Sequence, residues 1–112
     1  MKKIYKIGIV GLGQIGNYLY RELNLKRKEI ETITGKKIQI IGISAKNVNK
    51  KRKYKINKNI FFKKPFKIID LKPDIIFEVI GKSDGISKKI VERALKKKIH
   101  VITPNKALIA KH

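Results

Sequence analysis

A glycine-rich turn directly follows an apolar run near the start of the chain. The run IYKIGIV leads into VGLGQIG, which places Gly11, Gly13 and Gly16 in the spacing G-x-G-x-x-G. When a dinucleotide binds to such a turn, the first glycine allows a tight bend and the second lets the backbone approach a pyrophosphate. The third lets the following helix pack closely on the strand. The spacing therefore predicts a dinucleotide-binding turn.

The helix predicted after this turn adds a second attraction for phosphate. Its first backbone N–H groups have no partner within the helix, and its dipole places partial positive charge at that end. An alternative is that the glycines are purely structural, but their position between an apolar strand and a long helix favours the binding role. The predicted cofactor-binding residues of the turn are Gly11, Leu12, Gly13, Gln14, Ile15 and Gly16.

The segment after the second apolar run is basic and contains no acid. A site specific for NAD usually presents Asp or Glu at the end of the second strand, where the carboxylate accepts hydrogen bonds from the ribose hydroxyls. This chain has no acidic residue between Thr32 and Ile69, and Lys46 opens a basic stretch that reaches Arg52. A 2′-phosphate would meet positive charge there, so NADP(H) is favoured over NAD(H). An interpretation of these lysines as solvated surface charge stays open.

A further polar group of residues stands near the end of the chain, within VITPNKALIAKH at 101–112. In a doubly wound sheet, ligands bind beyond the carboxyl ends of the strands, so polar residues at a strand end belong to the ligand-binding edge. Pro104 fixes φ and suits a turn into a helix that begins near Asn105. Lys106 is therefore predicted to be a site residue, and the alternative is an ordinary surface lysine.

The elements that would position these residues alternate between strand and helix patterns. We predict strands over 4–10, 37–44, 74–81 and 99–103, with a short additional strand in 59–62. Helices are predicted over 14–33 and 83–98, with a helical turn in 65–73 and a basic loop in 45–59. This alternation is typical of a parallel sheet with crossover helices, and right-handed crossovers predict the strand order 3-2-1-4-5.

The helix boundaries and the buried face of the first helix are also predicted. Gly35 is expected to end the first helix, and Ser83 or Asp84 to begin the later one. The buried face should consist of apolar residues at helical spacing, namely Ile15, Leu19, Leu23 and Ile30.

Length and composition limit the classes of function. A chain of 112 residues suits one small domain or part of a larger one. The net charge of +21 would suggest a nucleic-acid partner, but the lysines are spread along the whole chain and no aromatic residues interleave the basic runs. No specific nucleic acid is therefore predicted.

The absence of cysteine excludes a disulfide framework and a thiolate metal site, and no metal is predicted. The first apolar run is short and interrupted by glycines, so we expect no signal peptide, no membrane span and a cytoplasmic location.

Three blocks of the chain, VGLGQIG, DIIFEVIG and HVITPNKALIAKH, resemble in order and separation the N-terminal nucleotide-binding domain of homoserine dehydrogenase. The resemblance implies a Rossmann-type doubly wound parallel sheet of three α/β/α layers over 1–112, incomplete at its C-terminus. It implies that Lys46 stands where the family commonly has an arginine that meets the 2′-phosphate, and that the Gly81 loop passes close to the cofactor. Lys106 would lie beside the nicotinamide end and the substrate. Lys82 stands where a second glycine is frequent, which changes the loop shape expected there.

The activity implied by the resemblance is the reversible, NAD(P)-dependent interconversion of L-homoserine and L-aspartate 4-semialdehyde, a step towards threonine and methionine. The family's catalytic lysine and the acids that hold homoserine lie beyond the position of His112, so the catalytic residues are unknown. The chain is thus expected to be the cofactor-binding fragment of an enzyme that forms a homo-oligomer, and to be inactive alone. Its partners would be a small-molecule cofactor and substrate.

Two other classes stay open. The chain could be the cofactor domain of another NAD(P)-dependent oxidoreductase, such as an aspartate dehydrogenase or a sugar dehydrogenase, because a fold does not fix a substrate. It could also be a non-catalytic NAD(P)-binding module.

Overall fold

A computed structural model of the protein describes residues 4–11, 14–45, 55–80 and 85–103, with the backbone alone for Gln14. Along the described chain the strands are β1 (Ile4–Val10), β2 (Lys37–Ser44), β3 (Phe61–Phe62), β4 (Ile75–Glu78) and β5 (His100–Ile102). The helices are α1 (Gln14–Leu25), α2 (Arg27–Thr34), α3 (Pro65–Asp70) and α4 (Ile86–Lys96), and a single 3-10 turn covers Lys58–Ile60. None of these helices is long and apolar enough to cross a bilayer.

The strands form one parallel sheet in the order β3-β2-β1-β4-β5. This confirms the predicted order and the predicted Rossmann-type α/β fold. The chain builds outward from β1 through β2 to β3, then returns to the other side of β1 and continues through β4 to β5. The strand order therefore reverses between β1 and β4, where a doubly wound sheet opens a crevice at the carboxyl ends of its strands.

Two apolar clusters cover the two faces of the sheet. One lies against α1 and contains Ile7, Ile9, Tyr20, Ile40 and Ile43. The other lies against α3 and α4 and contains Val10, Ile68, Ile69, Ile76, Ile90, Ala94 and Ile99. Successive side chains of a strand point to opposite faces, which is why neighbouring residues of β1 contribute to different clusters.

A register shift between β1 and β2 decides which apolar cluster the side chains of β2 join. Ile7 pairs with Ile40 and Gly8 pairs with Gly42, so the ladder passes over Ile41. Such a bulge puts one extra residue into β2 and alters which face the following side chains meet. Ile40 and Ile43, three positions apart, consequently join the same cluster.

Helix α3 packs closely on the sheet because two paired glycines leave room for Ile68. A Cβ atom on Gly8 would lie 2.6 Å from Ile68 Cγ2, and one on Gly42 would lie 3.0 Å from Ile68 Cγ1. The Ile68 side chain is fully buried there.

Strands β1 and β4 are also joined at their amino ends. Lys6 N–H donates to Asp74 Oδ2 at 2.8 Å, and Asp74 N–H donates to the Lys6 carbonyl oxygen at 2.8 Å. The aspartate before β4 thereby extends the pairing of the two central strands by side chain as well as backbone.

The first helical region differs from its prediction in two respects. It is interrupted at Lys26, which separates α1 from α2, although Lys26 N–H still donates to Glu22 O and Ile30 N–H to Lys26 O, each at 2.9 Å. The prediction that Ile15 is buried was wrong, since its side chain is 60% exposed, and the large apolar side chain that α1 buries is that of Tyr20. The prediction that Gly35 ends this region is confirmed, with φ of 72° and its N–H donating to Glu31 O.

The boundaries of β1 and β2 are as predicted, whereas the later elements are shorter. The final helix begins at Ile86 after Gly85, so its predicted start at Ser83 or Asp84 was early, and those two residues lie outside the described ranges. Its buried residues recur at helical spacing and are Ser87, Ile90, Val91 and Ala94. The predicted strand in 59–62 is reduced to β3 because residues 58–60 form the 3-10 turn.

Candidate dinucleotide-binding site

The turn after β1 is anchored on both sides by the neighbouring strands. Gly11 N–H donates to the Ser44 carbonyl oxygen of β2 at 2.9 Å, and Val79 N–H donates to the Val10 carbonyl oxygen at 2.8 Å. The carboxyl ends of β2, β1 and β4 are therefore held side by side at the point where the strand order reverses.

Gly11 adopts a conformation that other residues rarely adopt. Its φ is +98°, and a Cβ atom at this position would lie 2.9 Å from the Ile80 nitrogen and 3.0 Å from Ile80 Cα. Both the dihedral angle and the crowding by backbone atoms exclude a side chain. Gly11 therefore has a backbone conformation and surroundings that require glycine.

Gly16 brings α1 against this turn. It is buried in the first turns of the helix, and an added Cβ atom would collide with the Gly11 carbonyl oxygen and lie 3.1 Å from Val79 Cγ2. The close helix–strand approach expected of the third glycine is therefore also present. It directs the N-terminus of α1, with the positive end of the helix dipole, to the carboxyl edge of the sheet.

The structure describes only part of the predicted cofactor-binding set. Gly11 and Gly16 are in contact, Ile15 lies exposed in the first turn of α1, and Gln14 opens that helix. The other predicted residues lie outside the described ranges, namely Leu12, Gly13, Lys46, Gly81 and Lys106.

The described residues that precede those gaps share one edge of the sheet. Ala45 follows the end of β2, Ile80 lies two residues after β4, and Thr103 follows the end of β5. Ala45, Ile80 and Thr103 therefore lie at the same edge of the sheet as Gly11.

Glu78, which the sequence analysis did not single out, is a buried carboxylate at this edge. Its side chain is 0% exposed at the end of β4. Glu78 Oε1 accepts hydrogen bonds from Ile80 N–H at 2.9 Å and from Ser87 Oγ at 3.1 Å, and Oε2 accepts one from Thr103 Oγ1 at 2.8 Å. The carboxylate thus connects the loop after β4, the start of α4 and the end of β5. The signal available in the sequence was an acid inside the apolar run DIIFEVIG.

A concavity of about 1230 Å³ elsewhere on the domain is a poorer candidate for the dinucleotide site. It follows the edge strand β5 and the start of β4, and its lining includes Tyr5, Lys72 and Lys98. Much of that lining belongs to the amino-terminal side of the sheet, where the glycine turn is absent. Because open parallel sheets bind ligands at the carboxyl ends of their strands, the glycine turn is the better site.

Comparison with known protein families gives a match over most of the chain. Residues 11–112 match the family described as "Homoserine dehydrogenase, NAD binding domain". The matched range begins at the first glycine of the turn.

Curated relatives carry the same name. Over 111 residues the chain is 32% identical to the homoserine dehydrogenase of Methylobacillus glycogenes. The match covers 98% of this chain and 26% of that protein. Over 109 residues it is 28% identical to that of Bacillus subtilis (strain 168), covering 96% and 25%. The chain thus spans about a quarter of the length of these relatives.

Solved structures of similar proteins share the fold. A crystal structure of S. aureus homoserine dehydrogenase at pH 7.5 superposes with a TM-score of 0.86 at 33% identity, covering 95% of this chain and 27% of that one. The homoserine dehydrogenase from Thiobacillus denitrificans superposes with a TM-score of 0.81 at 25% identity, covering 98% and 25%.

Proposed function

Because the chain belongs to the family of homoserine dehydrogenase NAD-binding domains, we propose that it binds the dinucleotide cofactor of such an enzyme through the turn from Gly11 to Gly16. The observation that supports this proposal is the packing of Gly16 on Gly11 at the carboxyl end of β1. The pyrophosphate would lie against the backbone of Leu12, Gly13 and Gln14, at the N-terminus of α1. The exposed Ile15 side chain would border it.

NADP(H) is the proposed cofactor, in preference to NAD(H). The adenosine ribose would lie beyond the end of β2, where an NAD site usually supplies an acid. Residues Ser44 and Ala45 end this strand, and Lys46 follows them. The ammonium group of Lys46 would attract a 2′-phosphate as a point charge, without the planar fork of an arginine.

The proposed reaction of the enzyme that carries this domain is the reversible interconversion of L-homoserine and L-aspartate 4-semialdehyde, in threonine and methionine biosynthesis. The nicotinamide, when bound, supplies the hydride chemistry. The residues of this chain would bind and orient that cofactor, with the Gly81 loop against it and Lys106 beside its nicotinamide end and the substrate. The groups that hold homoserine would come from outside this chain, within a cytoplasmic homo-oligomer.

A Gly13→Val substitution tests the phosphate turn. We expect NADPH affinity to fall by at least about tenfold, because a valine side chain would occupy space that the pyrophosphate needs. Cofactor fluorescence titration gives the affinity, and circular dichroism shows whether the variant is folded. The same substitution at Gly35 is strained by the positive φ of 72° and should lower stability, but it should leave the NADPH affinity of the folded variant unchanged. Unaltered affinity in a folded Gly13→Val variant would mean that the glycine motif is structural only.

A Lys46→Ala substitution tests the cofactor preference. A partly exposed charge contact contributes about 1 kcal/mol, so NADPH should bind about fivefold more weakly to the variant while NADH is unaffected. Raising the salt concentration should likewise reduce the preference of the wild type for NADPH over NADH, because salt screens the attraction to the 2′-phosphate. Lys37→Ala removes an equal charge from the opposite end of β2 and should change neither affinity. Equal affinity of the wild type for NADH and NADPH at both salt concentrations would contradict this proposal.

A further inference from the structure

The hydrogen bonds of Glu78 begin where the backbone pairing of β4 and β5 ends. The last paired residues of the two strands are Phe77 and Ile102. The residues that follow them are Glu78 and Thr103. These two are joined by their side chains, since Thr103 Oγ1 donates to Glu78 Oε2 at 2.8 Å.

The other carboxylate oxygen of Glu78 fixes the start of the loop after β4. Glu78 Oε1 accepts the Ile80 N–H at 2.9 Å, and Ile80 in turn provides the backbone atoms that crowd Gly11. The same oxygen accepts the Ser87 hydroxyl near the beginning of α4. One side chain consequently sets the relative positions of the segments at 80 and 103, beside the glycine turn.

Stability alone does not explain a carboxylate at this position. Removing a charged group from water is unfavourable, and well-packed apolar residues in place of buried charged groups are often neutral or stabilising. The neighbouring core positions Val10 and Ile76 are fully buried and apolar. The hydrogen bonds of Glu78 offset its desolvation and also give the two strand ends a defined separation.

From this geometry we infer that Glu78 is a positioning residue for the nicotinamide half of the cofactor, an inference that rests on the proposed function. A doubly wound fold consists of two mononucleotide-binding halves that meet where the strand order reverses. Glu78, Ile80 and Thr103 belong to the half formed by β4 and β5, across from the half that follows the glycine turn. Glu78 therefore orients the two segments that flank the nicotinamide and leaves the adenosine half untouched.

The test compares two ligands that differ in the nicotinamide group. Isothermal titration gives the affinities of the 112-residue chain for NADPH and for 2′-phospho-ADP-ribose, which lacks the nicotinamide, and a thermal melt is recorded for each variant. Thr103→Val removes the hydroxyl that donates to Glu78, and we expect about tenfold weaker NADPH binding. The affinity for 2′-phospho-ADP-ribose should change less than about twofold, because the adenosine half is not affected.

Four further variants separate positioning from general stability. Thr103→Ser keeps the hydroxyl and should restore NADPH binding. Glu78→Gln keeps one acceptor oxygen and has an amide that can donate to Thr103, so it should retain most of the NADPH affinity. Glu78→Leu keeps neither group and should weaken NADPH binding without weakening 2′-phospho-ADP-ribose binding. Ser87→Ala removes the hydrogen bond to α4 and leaves those to Ile80 and Thr103 in place, so it should lower the melting temperature without changing the ratio of the two affinities.

Three results would overturn the inference. Equal weakening of both ligands by Thr103→Val, or no weakening of either, would mean that the Glu78 cluster is structural only, and the proposed cofactor site would stand. Failure of the folded wild-type chain to bind either ligand would overturn the proposed function and this inference together.

Discussion

We expect the Gly16→Ala variant to unfold with a free energy about 3 kcal/mol below that of the wild type. The sign is opposite to the usual one, since replacing glycine by alanine inside a helix ordinarily stabilises a protein by about 0.5–1 kcal/mol. Here the new methyl group would collide with the Gly11 carbonyl oxygen, a backbone atom of a residue whose N–H donates to the Ser44 carbonyl oxygen. Helix α1 would have to move away from the sheet, which would also separate its N-terminus from the phosphate turn.

Urea titration followed by circular dichroism measures this effect. Gly35→Ala is the matched control, because Gly35 has a φ of +72° and an added Cβ atom there meets nothing within 4 Å. Only the backbone strain of the left-handed conformation applies at that position, so the control should lose about 1 kcal/mol. A Gly16→Ala variant that is as stable as the wild type would contradict the close packing of α1 on the turn.

The second large effect is expected for Ile68→Ala, at about 3 kcal/mol of lost stability. Ile68 is fully buried and fills the space above the paired glycines of β1 and β2. Gly8 and Gly42 have no side chains that could move into the vacated volume, so a cavity would remain between α3 and the sheet. Cavities that cannot collapse lie at the upper end of the range for such substitutions.

Chemical denaturation of two companion variants decides whether the cavity is the cause. Ile68→Val removes a single methyl group and should lower stability by about 1 kcal/mol. Ile33→Ala removes the same atoms as Ile68→Ala from a side chain that is 77% exposed, and its effect should stay within about 0.5 kcal/mol. Similar losses for Ile68→Ala and Ile33→Ala would show that Ile68 does not fill a rigid space.

The sequence was sufficient to predict the sheet because its central strands have clear limits. The apolar run of β1 ends at Gly11, and that of β2 lies between Gly35 and the basic residues after Ala45. Strand order then follows from the alternation of strands and helices, since few right-handed arrangements are possible. Local signals of this kind depend on residues adjacent in sequence.

The orientation of α1 could not be predicted in the same way. Apolar spacing alone permits Ile15 or Tyr20 on the buried face, and the contact of Gly16 with the turn decides between them. The interruption at Lys26 has no glycine or proline to mark it. Both features depend on how the helix packs on the sheet, and the spacing of apolar residues along the helix does not predict that packing.

The glycine turn could be predicted from the sequence and the Glu78 cluster could not, because only the residues of the turn are close together along the chain. The three glycines of the turn lie within six consecutive positions, and their spacing is itself the signal. The partners of Glu78 include Ser87 and Thr103, which are 9 and 25 positions away along the chain. Their proximity arises only when β4, α4 and β5 are assembled, so the hydrogen bonds of this acid could not be predicted from residue spacing along the chain.

The hydrogen bond from Lys6 to Asp74 spans 68 positions, so the two central strands belong to distant parts of the chain. Closing a loop of that length has an entropic penalty that must be met before the strand contacts form, and parallel pairing of this kind folds slowly. During synthesis at about 5–20 residues per second, β1 would wait about 3–14 s for β4 to be made. Its apolar residues and one unpaired edge are exposed in that interval, which makes the nascent first half of the domain prone to aggregation.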